Sequence, residues 1–179
     1  MPSSLVSSVA RIARRFSRNR GASAAVEFAL VAPIFFGLLF AIIETALMFF
    51  ASQVLETAVQ DSARLILTGQ AQGAAFSKDQ FKTQVCNRIN ALFDCAGGIY
   101  VDVQSYPAFT NVTIADPVDA SKNFVDNTKY LPGAAGDIVV VRVFYQWPLL
   151  VTGLGYNISN LSGSKRLLSA TAAFRNEPF

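Results

Sequence analysis

The chain has 179 residues, 52% of them hydrophobic and 15% charged, with two cysteines and no histidine. That composition excludes a disordered chain and a disulfide-dense scaffold, and a charged fraction well under the usual ~25% disfavours a wholly soluble enzyme. The net charge of +3 averages two unlike regions. Arg11, Arg14, Arg15, Arg18 and Arg20 stand without an acid in residues 1–21, a local +5, while ten basic and twelve acidic residues leave −2 in 22–179. Arginines beside a hydrophobic run read as a topology signal, and nucleic-acid binding would need a basic face on a folded module.

Residues 1–22 therefore read as a basic cytoplasmic leader. From Phe28 to Ile43 the chain runs sixteen residues without a charge and, after Glu44, resumes as TALMFFA to Ala51. At 1.5 Å per residue the stretch Phe28–Ala51 covers about 36 Å, enough for a ~30 Å hydrocarbon core. Residues 23–51 are thus expected to form a single transmembrane helix. A removable secretory signal would have a shorter apolar region and an A-x-A-like site, and FFASQ offers none. The positive-inside rule puts the N-terminus in the cytoplasm and everything after about Ala51 outside. Pro33 lies inside the span, where a kink is expected and tolerated. Glu44 would lie towards the far side of the bilayer, where an ionised carboxylate is costly unless it finds a partner or the interface.

Helical spacing continues through Val54, Leu55, Ala58, Val59, Ser62, Leu65 and Ile66 until Gly69 supplies a stop. Residues 52–69 read as a continuation of the same helix, with an apolar stripe that needs a cover. The rest, 70–179, reads as an α+β domain. QAQGAA is expected as a loop, and Ser77 with Gln80 as a capping box opening a helix at about 78–92. Strands are expected at 99–106, 137–147 and 166–174, with a short one possible at 111–115, in a three- or four-stranded antiparallel sheet covered on one face by the long helix. Segment 106–136 is rich in turn residues and reads as an exposed excursion, with Tyr106, Phe109, Phe124 and Tyr130 as a contact surface.

Cys86 and Cys95 form an even pair on the oxidising side, which favours a disulfide over two free thiols. A regular helix would hold them about 13 Å apart, so the bridge requires the chain to turn back, which Asp94, Gly97 and Gly98 permit. With no histidine, no metal site and no cofactor are expected, and Asp102, Asp116, Asp119, Asp126 and Asp137 show no catalytic spacing, so the chain reads as a non-enzyme.

The runs RNRGASAAVEFALVAPIFFGLL, QDSARLILTGQAQ, FKTQVCNRINALFDC, VDVQSYPAF and ATAAFRNEPF together resemble the TadE-like minor pseudopilins of bacterial tight-adherence (Tad, Flp-type) pili. The resemblance implies a membrane-inserted precursor whose leader a prepilin peptidase removes, and a role in assembling type IVb pili. It also implies partners: the major pilin, other minor pseudopilins, an assembly ATPase and an inner-membrane platform. The product would sit in the inner membrane with its C-terminal domain periplasmic, or in an extracellular pilus. In the family the glutamate is the fifth residue after the cut. Cleavage after Gly21 makes Glu27 the sixth; cleavage after Ala22 makes it the fifth but puts alanine where glycine is usual, and both remain open. Glu27 itself, an acid at the start of a lipid-immersed helix, is read as pairing with a neighbouring subunit's α-amino group; the alternative is that it snorkels or favours the helix N-terminus. The competing function is an uncleaved membrane-tethered scaffold or adhesin.

Overall fold

The computed structural model describes residues 20–89, 92–152 and 156–179, with side chains from residue 23 onward. Most of the leader reading therefore lies outside the described residues, and Gly21 and Ala22 are described by backbone alone. The architecture is α+β, as expected: a long N-terminal apolar helix, further helices and a three-stranded antiparallel sheet.

Helix α1, Arg20–Leu67, passes through Pro33 without a break. Two compact units divide the chain, one ending at Ile43 and the other Glu44–Phe179. In the first, Phe28, Leu30, Val31, Ile34, Phe35, Leu38 and Phe40 are exposed. A surface helix of a water-soluble domain carries a polar face opposite its apolar stripe; one that is apolar all round belongs in lipid or in a core. Among the described residues no core covers these side chains. α1 is long and apolar enough to cross a membrane, which suggests single-pass anchoring.

The second unit begins on the same helix with a different pattern. Met48, Ala51, Leu55, Ala58, Val59, Ala63 and Ile66 are buried in a single stripe at three- and four-residue spacing. Gly69, at φ +74°, ends the helix, and its N–H bonds the Ile66 carbonyl. A Cβ here would be strained by the backbone and would collide with the ring of Phe179. The segment around that ring finishes the helix: the Glu177 N–H donates to the Leu67 carbonyl, and buried Asn176 donates from its amide to Pro132 and Ala134. The expected loop after Gly69 contains a one-turn helix, α2, Gln70–Gly73.

Helix α3, Lys78–Ile89, opens with a reciprocal capping box: the Ser77 N–H donates to Gln80 Oε1, and the Gln80 N–H to Ser77 Oγ. It ends short of the expected 92; residues 90 and 91 lie outside the described residues, and Leu92 is in a turn whose N–H bonds the Ile89 carbonyl. Strands β1 (Ile99–Tyr106), β2 (Ile138–Pro148) and β3 (Lys165–Arg175) pair antiparallel in that order. Residues 111–115 form no strand; a 3-10 turn, Phe109–Asn111, leads into them.

One sheet face, made by Ile99, Val101, Val103, Val139, Val141, Val143, Leu168, Ala170 and Ala172, joins the α1 stripe and α3's Phe81, Val85 and Ile89 in one core. Only β3 alternates cleanly between buried and exposed residues. β1 and β2 are buried on both faces over much of their length, because segment 106–136 is folded back as a second cover. Phe124 packs between Tyr100 and Phe144 in tilted contacts, with ring centroids 4.6 and 5.7 Å away. Lys129 and Leu131 bond Val103 along the free edge of β1. Tyr130 packs on Phe81, and burial pushes its hydroxyl pKa up to about 12. Of the four aromatics expected as a contact surface, only Phe109 is largely exposed; Phe124 and Tyr130 are packed into the fold, and the Tyr106 hydroxyl donates to the Thr113 carbonyl.

Cys86 of α3 and Cys95 are joined in a disulfide with Cα atoms 5.8 Å apart. The chain turns back through Asp94, whose carboxylate accepts from the Ala96 N–H and whose carbonyl accepts from the Gly98 N–H. Closing so short a loop contributes up to about 3 kcal/mol in the chain-entropy picture. Cys86→Ser combined with Cys95→Ser is expected to lower the denaturant midpoint of the full-length protein in detergent without changing its secondary structure. Non-reducing peptide mapping of exported protein should give a Cys86–Cys95 linked peptide; two alkylatable thiols would refute the bridge in the cell.

Candidate functional site

Glu27 lies seven residues into α1, on an exposed position, one residue before the apolar run begins. Among the described residues it has neither a hydrogen-bond nor an ion-pair partner. Its neighbours one turn away on the helix are Ser23, Ala24, Leu30 and Val31, none of them charged. From Phe28 to Ile43 the helix carries only apolar side chains, among them the edge-on pair Phe35 and Phe36 at 5.4 Å. This apolar surface can pack helices or lipid.

Glu44, the second acid of the apolar run, is treated differently. It is 8% exposed, and its carboxylate accepts the backbone N–H groups of Leu150 and Val151, the latter at 3.1 Å on Oε2. Next to it, the Thr45 hydroxyl shares a hydrogen bond with the Tyr156 hydroxyl. Sequence reasoning asked for a partner or the interface for Glu44; the structure supplies peptide N–H groups from the segment after β2. The signal for that was Pro148, which ends a strand and sends an apolar segment, LLV, back towards the helix.

The excursion is tied down by a buried ion pair that the sequence reading passed over. Arg142 of β2 donates to Asp102 of β1 from Nη2 at 2.7 Å and from Nε at 3.1 Å, with both side chains nearly covered. Its third nitrogen, Nη1, donates to the Ala115 carbonyl at 2.8 Å. Asp102 in turn accepts from the Lys129 N–H and from the Gln104 amide. The pair borders a cavity of about 150 Å³ between sheet and excursion. Since the nitrogens of Arg142 and the carboxylate of Asp102 are already engaged inside the protein, the arrangement works as a clamp on residues 115 and 129. Farther along, Asp126 is held below the usual carboxylate range by the Thr128 hydroxyl, assisted by the charge of Lys78. Among the described residues no group of His, Cys, Asp and Glu could hold a metal ion.

Residues 22–64 match the family model described as TadE-like protein. Over that segment the chain is similar to the TadE-like family. No curated protein and no solved structure matches the chain. The TadE-like segment takes in Glu27, the exposed apolar surface, Glu44 and most of the buried stripe of α1. It begins at Ala22, immediately after Gly21, the first of the two residues expected to flank a cut. Cys86, Cys95 and the Asp102–Arg142 pair lie outside it. The TadE-like match suggests involvement in a Tad pilus system.

The clamp makes a sharp energetic prediction. Arg142→Ala leaves the Asp102 carboxylate buried without its charge partner and is expected to cost about 3–5 kcal/mol of stability. Arg142→Met combined with Asp102→Leu should cost much less than the two single changes added together, since a buried pair replaced by apolar groups is often close to neutral. Urea unfolding of the full-length variants in detergent reads both; additive losses would show that the two side chains do not act as a unit.

Proposed function

We propose that this chain is a minor pseudopilin that takes part in assembling a Tad (Flp-type, type IVb) pilus and is anchored by α1 in the bacterial inner membrane. The observation that carries the reading is the TadE-like match over 22–64, the segment that holds both the exposed apolar helix and Glu27. Five arginines ahead of the span favour a cytoplasmic N-terminus and, with it, a periplasmic location for the chain after about Ala51. The role is structural rather than catalytic. Its partners are a prepilin peptidase acting next to Gly21 or Ala22, the major pilin, other minor pseudopilins and the inner-membrane assembly platform.

Glu27 supplies the chemistry of assembly in this reading. Removing the leader exposes a new α-amino group, a cation at the head of each processed helix. An unpartnered carboxylate a few residues farther along is costly in lipid alone, by about 2.5–3.5 kcal/mol on insertion scales at mid-helix. Meeting a neighbour's ammonium removes that cost and sets the axial offset between two helices. The apolar surface then packs by shape, with Glu27 choosing the register.

Two measurements test this. Intact mass or N-terminal sequencing of the protein co-expressed with its prepilin peptidase should show loss of residues 1–21 or 1–22 with α1 retained; recovery of the full-length chain alone favours a static membrane-tethered scaffold or adhesin. Glu27→Gln should be processed and inserted normally yet fail to co-purify with pilin partners, because losing one member of a buried pair commonly costs about 3–5 kcal/mol. A processed Glu27→Gln protein that supports normal piliation would sink the pairing mechanism.

A further inference from the structure

The turn that follows β2 is built in an unusual way for a segment bathed in water. Leu150 is 87% exposed, the most exposed large apolar residue of the folded unit. Yet the backbone around it leaves no donor to solvent. Pro148 has no N–H, the Leu149 N–H donates to the Ser164 carbonyl at 3.0 Å, and the N–H groups of Leu150 and Val151 both donate to Glu44. A water-exposed turn has no need of this, because solvent satisfies its amides at little cost. A segment in hydrocarbon does need it, since each unsatisfied backbone group there costs several kilocalories.

The acid that collects these donors fixes the depth. Glu44 follows directly on Ile43, the last residue of the uncharged apolar run, so whatever bilayer receives that run reaches the level of Glu44. The apolar surface continues beyond it: Leu47, Phe49 and Phe50, one to two turns farther along α1, are exposed within the folded unit. Leu150 is thus carried at the level where apolar residues are still exposed on the helix, and its amides are already provided for.

We propose that the Leu149–Val151 turn, latched by Glu44, is a second membrane contact, inserting Leu150 into the leaflet from which the folded unit emerges. The occupant of this apolar surface is lipid rather than a second protein chain. The proposal rests on the reading of α1 as a membrane span and adds to it a defined seat for the folded unit at the bilayer. A carboxylate neutralised by peptide donors is suited to that seat, as it needs no cation from outside and brings the segment's own N–H groups under cover.

The test uses the full-length protein in vesicles of phosphatidylethanolamine and phosphatidylglycerol. The native cysteines are paired, so Leu150→Cys, Phe36→Cys and Ala135→Cys can each take one environment-sensitive fluorophore. Ala135 is exposed just ahead of β2, at the end opposite Pro148 and roughly 30 Å along the strand from it. Quenching by nitroxides on the lipid acyl chains is compared with quenching by aqueous iodide. The label at 150 should be quenched by lipid nitroxide at least about threefold more than the label at 135, and be shielded from iodide. Iodide quenching equal to that at 135 would overturn the proposal, and so would shielding from both quenchers, which would mean that protein covers the turn. Lipid quenching at 36 without lipid quenching at 150 removes this inference alone; its absence at 36 removes the span and the inference together. Glu44→Leu, checked by circular dichroism for an intact fold, should bring the signal at 150 towards that at 135 while leaving 36 unchanged. An unchanged signal at 150 would remove Glu44 as the latch.

Discussion

Everything in the folded unit depends on covering one apolar stripe. From Met48 to Ile66 the long helix presents side chains that cannot stay in water, on a helix whose earlier turns expose most of their apolar side chains. A helix stripe can be buried by another helix or by a sheet face, and here the sheet does most of it, with α3 closing the side. The order of elements follows from that demand. The chain must leave the helix end, return as α3 alongside, and lay down β1, β2 and β3 with their Val-rich faces inward. The disulfide fastens the turn between α3 and β1, at the point where the chain changes from one kind of cover to the other.

The second face of the sheet shows why periodicity alone was an incomplete guide. β3 alternates, and its boundaries were legible to within a residue or so. β1 and β2 read as strands as well, but IVVVRVF is nearly continuous in its apolar character, which signals burial on both faces. Only one cover was apparent in the sequence, since 106–136 has the composition of a loop. Its covering role rests on Phe124, the 129–131 edge pairing and two carbonyl and amide bonds to the charged pair, none of which has a local pattern. A clue was nevertheless present: Asp102 and Arg142 are the only charges in two apolar strands. Opposite charges isolated in neighbouring strands point to each other, and the register confirms that they are directly paired.

Of the candidate site, the sequence made the apolar helix and its two acids plain, and the difference between the acids was hidden. The two acids flank the uncharged run Phe28–Ile43, yet Glu27 is left open and Glu44 is enclosed. That distinction is decided by residues 150 and 151, far away in the chain, and so by tertiary structure alone. The capping box and the glycine stop were readable because they are local, with partners three residues apart. The one-turn helix at 70–73 was not, since it depends on how the flanking turns pack.

The end of α1 has a bearing on how such a chain can be made. Its terminal carbonyl at Leu67 waits for the Glu177 amide, and the space over Gly69 waits for Phe179. A helix that enters the membrane early in synthesis is therefore left with an unfinished end while all three strands are still to come. Loop closure over that span is slow relative to local helix formation, and the apolar stripe stays uncovered in the interval. Under the proposed anchoring, biogenesis must tolerate a tethered, half-clad intermediate, and a bilayer holding α1 would keep neighbouring copies from meeting freely in solution during that time.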